Sequence, residues 1–330
     1  MRLAKFEHME PASLEEACGL LEKHGQKAAV IAGGTDLLVR LKNRLVEPEL
    51  IVNIKNIESL RKIAVDGAVL RIGALSTIRD IRLSPIVSQL FPLLTEAASL
   101  LAAPQLQNMG TLGGNLCLDT RCWYYDQSRD WRKSLETCLK AGGAVCHIAK
   151  ASRRCYALYC GDLAPALLAL KASVKVASAK GERVLPLADF FVEEGIKRNV
   201  LRPGELVAEV AVPIMPGQQG AYVKFRHRES IDFPVVGVAA AIVQAKGVCS
   251  EVGIGITGVL SAPIVAEKSQ ALILGKKLGH EVIQEAAEAA FRQVRPVSNM
   301  ECSPAYRRQL VRVLVEDALT RAAGLQPRAQ

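Results

Sequence analysis

The sequence predicts a mixed α+β fold in more than one domain, and three observations predict it. Short Val-, Ile- and Leu-rich runs alternate with helical stretches through the first two thirds of the 330 residues. Past Pro213, Pro216 and Gly217 the pattern changes to longer strands followed by two amphipathic helices. Half the residues are apolar and 23% are charged, which is a globular composition that excludes collagen, coiled coil and disorder.

The elements follow in order. Residues 14–24 (LEEACGLLEKH) have helical spacing, and KAAVIAGGTDLLVRLK then runs an apolar strand into Gly33, Gly34, Thr35 and Asp36. Paired glycines let backbone N–H groups approach an anion, and Thr35 adds a hydroxyl. The loop is neither GxGxxG nor a P-loop, since no Lys follows. LIVNI and AVLRIGA read as strands, and FPLLTEAASLLAA reads as a helix leading to NMGTLGGNL. That second glycine loop presents Thr111, Gly113, Gly114 and Asn115. Either loop alone reads as a tight turn, but two together suggest a cradle for a diphosphate. VKVAS and LVAEVAVP are further strands. GAYVKFRHRESIDFPVVGVAAAIV and VCSEVGIGITGVL then form antiparallel strands, EVIQEAAEAAFRQV and PAYRRQLVRVLVEDALTRAA form helices, and the tail GLQPRAQ is expected to be loose.

The longest apolar run, Val235 to Val243, is far short of the ~18 residues that span a bilayer, so no membrane span is expected. Acidic residues near the start interrupt any secretory signal, which points to the cytoplasm. The net charge of +9 suits a phosphorylated cofactor or an acidic partner. No basic run of five and no nucleic-acid motif accompanies it, so nucleic acid is not expected.

Six of the nine cysteines (Cys117, Cys122, Cys138, Cys146, Cys155, Cys160) fall within residues 117–160, while Cys18, Cys249 and Cys302 stand alone in apolar or helical contexts. A reducing compartment argues against a disulfide framework. The spacings C122-x15-C138-x7-C146-x8-C155 contain no tight CxxC, unlike a zinc knuckle, and suit a loop folded around an iron–sulfur cluster. The segment also carries six of the fifteen aromatic rings, expected to shield a cluster from water. Its eight Lys and Arg against four acids would offset an anionic centre. Structural zinc, or thiols with no metal, stays open on these residues. His147 lies in the segment without a ligand signature, and no catalytic nucleophile is apparent.

The order AGGTDLL, TLGGN, GDLAPAL and YVKFRHRESIDFPVVGVA resembles the FAD-binding subunits of the molybdenum hydroxylase (xanthine dehydrogenase) family from end to end. That resemblance implies a two-lobed FAD-binding domain of the vanillyl-alcohol-oxidase/PCMH type over residues 1–213, with lobes of about 1–56 and 57–213. It also implies a smaller α+β C-terminal domain of the CO dehydrogenase flavoprotein type over 218–325. It places FAD on Ala29, Val30, Ile31, Ala32, Gly33, Gly34, Thr35 and Asp36, and on Thr111, Gly113, Gly114 and Asn115. Asp162 would contact the flavin nucleotide and Lys224 the isoalloxazine, with Leu101 and Val207 as walls. Residues 116–160 depart from most of the family as an inserted Fe–S loop. Such an insertion is similar to the β subunits of 4-hydroxybenzoyl-CoA reductases, whose 4Fe-4S ligands correspond to Cys122, Cys138, Cys146 and Cys155. By the same resemblance the partners are a molybdopterin-containing large subunit and a small subunit with two 2Fe-2S clusters, in a dimer of heterotrimers with ferredoxin as electron donor. The alternative is the FAD subunit of a xanthine, aldehyde or CO dehydrogenase type enzyme.

Overall fold

The computed structural model of the chain describes residues 3–299 and 302–326, so the last four residues of the expected loose tail lie outside the described residues. Its N-terminal lobe is a parallel three-stranded sheet built from β1 (Glu7–Met9), α1 (Leu14–His24), β2 (Ala28–Ile31), α2 (Leu37–Lys42) and β3 (Leu50–Asn53), in strand order β1-β3-β2. The α1 helix starts where the Ser13 side chain accepts from Glu16 N at 3.1 Å and Glu16 Oε2 accepts from Ala12 N at 2.8 Å, satisfying donors that a helix start leaves unpaired. Its Ala17, Cys18 and Leu21 are buried with Leu50 and Val52 of β3.

The second lobe begins with β4 (Ile63–Asp66) and β5 (Val69–Gly73). A helical run follows: α3 (Ile78–Leu83), α4 (Pro85–Leu90), α5 (Pro92–Ser99), α6 (Pro104–Gln107) and α7 (Leu112–Leu116). Residues 117–160 then form a loop that contains only the short α8 (Arg129–Lys133) and one 3₁₀ turn. The chain returns through α9 (Leu163–Ala169), β6 (Ser173–Ser178), β7 (Gly181–Pro186) and β8 (Leu206–Pro213). These complete an antiparallel sheet of order β4-β5-β8-β6-β7. Its core joins Leu70 and Ile72 to Leu94, Leu112, Leu163 and Val210.

The C-terminal unit is an antiparallel sheet of β9 (Gln218–Phe225), β10 (Val236–Ala245), β11 (Val248–Thr257) and the short β12 (Ile264–Val265). Helices α10 (Glu267–Ile273), α11 (His280–Gln293) and α12 (Pro304–Ala322) cover one face. The other face meets α9, all of whose residues are buried. Glycines make that approach possible, because a Cβ at Gly253 or Gly255 would fall inside the carbonyls of Ala169 and Pro165. Gly255→Val is therefore expected to cost about 3 kcal/mol or more of stability, read as a lowered melting temperature. An unchanged melt would mean that this contact is not needed. Among the described residues no helix is long and apolar enough to cross a membrane.

Candidate functional site

Strand β2 carries Ala29, Val30 and Ile31 to its C-terminal end, where the chain turns through Ala32, Gly33, Gly34 and Thr35 to Asp36, the residue before α2. Gly34 has φ 73°, a conformation that side chains with a Cβ rarely adopt. At Gly33 the constraint is space, since a Cβ would occupy the Met109 carbonyl, with Gly110 N 3.1 Å away. The two glycine loops thus meet backbone against backbone. In the second, Thr111 Oγ1 accepts from Gly114 N at 3.2 Å, and a Cβ at Gly113 would come within 2.9 Å of the Ala74 side chain. Asn115 Oδ1 accepts from Leu163 N at 3.1 Å, tying this loop to Asp162, the residue before α9. The glycines thus let the two loops and their neighbours approach closer than residues with a Cβ would allow.

Asp162 and Lys224 form a buried ion pair, Nζ to Oδ1 2.8 Å, with side chains 4% and 1% exposed. The Tyr222 hydroxyl donates to the same oxygen at 2.9 Å. Lys224 also donates to the carbonyls of Leu100 (3.1 Å) and Asp232 (2.9 Å), so its three hydrogens all have acceptors. Leu101 follows directly, its carbonyl held by Gln107 Nε2 at 2.8 Å. Next in line, Ala102 (φ 45°) accepts from Ile231 N (φ 51°) at 3.1 Å, two left-handed residues facing one another. Val207 lies in β8 opposite Val176 and packs in the same core as Leu112 of α7.

Burial raises the Asp162 carboxyl above its ordinary value, while Lys224 and Tyr222 pull it back. Lys224→Met removes the main restraint. Below about pH 4 the carboxyl is protonated in both folded and unfolded chains and the variant loses least. As pH rises, the unfolded carboxyl ionises while the buried one resists, so the variant's stability falls until the raised folded pKa is passed and then levels off. The expected loss near neutral pH is about 3 to 5 kcal/mol, with recovery in Asp162→Asn/Lys224→Met. Thermal melts across pH check it, and a pH-independent loss would contradict it.

The loop 117–160 brings Cys122, Cys138, Cys146 and Cys155 to the lining of one cavity, together with Tyr124, Tyr125, Lys140, His147 and Tyr156. Cys117 and Cys160 are not among the lining residues. Backbone N–H groups of Tyr124 and Tyr125 point at the Cys122 sulfur and that of Ala157 at the Cys155 sulfur. Burial nonetheless pushes the Cys122 thiol up to about 11, and a bound metal would be needed to hold it as thiolate. Among the described residues no group of three or more His, Cys, Asp and Glu is arranged to hold a metal ion, and none of the nine cysteines is in a disulfide. One expectation is corrected here. The tryptophans do not shield this cavity: Trp123 is 51% and Trp131 37% exposed, and the rings that line it are three tyrosines and His147. Tyr124 fills the intervening space, its ring 5.2 Å from His147 and 6.4 Å from Trp131.

Ion pairs that the sequence did not single out tie this loop to the first glycine loop. Arg121 pairs with Asp36. Asp119, almost fully buried, meets Arg40 of α2 (2.7 Å), Lys140 (2.9 Å) and Arg198 (3.5 Å). Burial alone would raise its carboxyl, but Lys140, Arg40 and Arg198 together hold it below the ordinary range. Lys140 Nζ further meets the carbonyls of Thr120 (3.0 Å) and Gly195 (2.9 Å). The linear pattern offered only the count of basic residues as a signal, because these partners lie up to 85 positions apart.

Comparison with known proteins bears on the family and the fold. Residues 4–215 match the family described as FAD binding domain in molybdopterin dehydrogenase, and residues 221–322 match the CO dehydrogenase flavoprotein C-terminal domain. The chain is 30% identical over 324 residues to the α subunit of the 6-hydroxypseudooxynicotine dehydrogenase complex of Paenarthrobacter nicotinovorans, covering 98% of this chain and 96% of that one. It is also 30% identical over 320 residues to the carbon monoxide dehydrogenase medium chain of Hydrogenophaga pseudoflava, covering 96% and 97%. A solved structure of carbon monoxide dehydrogenase from that organism, lacking the Mo-pyranopterin moiety, superposes with TM-score 0.82 at 28% identity over 98% of this chain and 99% of its own.

Proposed function

This chain belongs to the FAD-binding subunits of the molybdopterin dehydrogenase family and binds FAD, and on that premise we propose that it relays electrons through FAD and one 4Fe-4S cluster held in residues 116–160. The single observation that supports the cluster is the convergence of Cys122, Cys138, Cys146 and Cys155 on one cavity from a stretch with almost no regular structure. Zinc needs its donors gathered about one ion at ~2.3 Å. A 4Fe-4S cluster takes one thiolate per iron and so seats its ligands around a larger body, which suits four thiols lining one cavity. Lys140 at the wall and the backbone donors at two of the sulfurs would offset the negative charge of such a centre.

When bound, FAD exchanges electron pairs and the cluster single electrons, so the two together convert between one- and two-electron carriers. The glycine loops would hold the flavin diphosphate, and Asp162, Lys224, Leu101 and Val207 would shape the flavin end. The reaction would take place on a molybdopterin-containing large subunit, with a small 2Fe-2S subunit completing a dimer of heterotrimers.

For the reaction, the resemblance of the insertion favours ferredoxin-dependent reduction of 4-hydroxybenzoyl-CoA, in which two electrons and two protons release the phenolic hydroxyl as water and leave benzoyl-CoA. A second reading keeps the FAD relay and assigns the complex to an oxidative dehydrogenase, favoured by the names of the relatives, which act on carbon monoxide or a nicotine derivative. Turnover of the purified complex separates them. Benzoyl-CoA formed from 4-hydroxybenzoyl-CoA with reduced ferredoxin supports the first, and inertness toward that thioester with dehydrogenase activity supports the second.

A further inference from the structure

We propose that Arg121 is a positioning residue that couples the first glycine loop to the cysteine cavity, so that the flavin loop and the cluster respond to one another. The inference rests on the FAD and cluster reading above and goes beyond it, since none of the FAD or cluster positions carried over from the family includes Arg121.

Four contacts place Arg121 at the junction. Its backbone pairs with Leu158 in both directions, N to O 2.7 Å each way, closing the neck of the loop between Cys122 and Cys155. The guanidinium pairs with Asp36 at the end of the first glycine loop. It also lies 3.9 Å from Asp126 Oδ1, and the other oxygen of that carboxylate accepts from Cys122 N at 2.9 Å. On its remaining side it lies 4.9 Å from the centre of the Phe233 ring, from the segment after β9. One residue thus pairs with the glycine-loop acid, closes the neck of the insertion and lies beside the carboxylate that holds the first cysteine's backbone.

Arg121 Nε is buried and has no hydrogen-bond partner. An unpaired buried donor is costly, so the guanidinium keeps this place because Asp36, Asp126 and Phe233 hold it there. A purely structural arginine at the neck would need only Asp126 and Leu158. The pairing with Asp36 is the contact that closing the neck does not require.

The test uses the full chain in its complex. Flavin affinity is measured by titrating the deflavinated protein with FAD, and the reduced cluster is read by EPR with iron content determined alongside. Arg121→Gln is expected to weaken FAD roughly ten-fold or more and to change the EPR line shape at unchanged iron content. Arg121→Lys, which keeps the charge but not the fork, should recover part of both. Asp36→Asn guards against a misfolded variant: this substitution lies outside the insertion, yet it should also change the cluster spectrum. A change in flavin affinity with an unaltered spectrum in both Arg121→Gln and Asp36→Asn overturns the coupling, as does wild-type behaviour in both measurements. If the wild-type protein contains no iron, the cluster reading itself has failed, and the FAD titration alone then shows whether Arg121 serves the flavin loop.

Discussion

Replacing Gly33 by alanine is expected to strip the purified chain of nearly all its FAD. The added Cβ would coincide with the Met109 carbonyl of the second glycine loop, and neither loop can yield as the end of a flexible side chain could. One loop must move away from the other, and a displacement of about 1 Å is enough to lose a network of backbone hydrogen bonds. Flavin absorbance per chain measures the effect. Gly19→Ala is the control, because nothing lies within 4 Å of a Cβ there and the helix around it gains from alanine. A Gly33→Ala protein that folds and keeps a full complement of flavin would show that the two loops do not hold the diphosphate.

Cys138→Ser is expected to remove or convert the cluster while FAD stays bound. Serine oxygen is a harder, less readily ionised ligand than thiolate, so one corner of the cluster is lost or exchanged. FAD should remain because the contacts that shape its cradle, Gly33 against Met109, Thr111 to Gly114 and Asn115 to Leu163, lie outside the cysteine cavity. Cys117→Ser and Cys160→Ser should keep their iron, since neither residue lines the cavity. Iron and sulfide analysis with EPR on the three variants decides it. Cluster loss in Cys117→Ser or Cys160→Ser, with Cys138→Ser unaffected, would overturn the ligand set.

The sequence made the central elements legible and the edges obscure. LIVNI, VKVAS and LVAEVAVP announce themselves because strands packed on one or both faces read as apolar runs, and they are β3, β6 and β8. Strand β7 (GERVLP) and β1 (EHM) are exposed edges whose side chains mostly face water, so they carry no periodic signal. The glycine loops were readable as phosphate-friendly turns, but that Gly33 sits against Met109 is a tertiary fact with no local trace. The same holds for Asp162 and Lys224. Their pairing joins α9 to β9 across 62 positions, and only their burial together makes either charge tolerable. In the insertion the cysteines were visible by count. The charges that anchor them, Asp119, Arg121 and Lys140, were legible only as part of a net positive balance, and their pairing with Arg40, Asp36 and Arg198 is a tertiary fact.

Iron, zinc and acid-labile sulfide measured per FAD on the wild-type protein bear most directly on the assignment of an FAD and cluster relay. About four irons and four sulfides per FAD, with no zinc, are expected from a 4Fe-4S cluster on Cys122, Cys138, Cys146 and Cys155. One zinc per FAD, or flavin with neither metal nor sulfide, would contradict it.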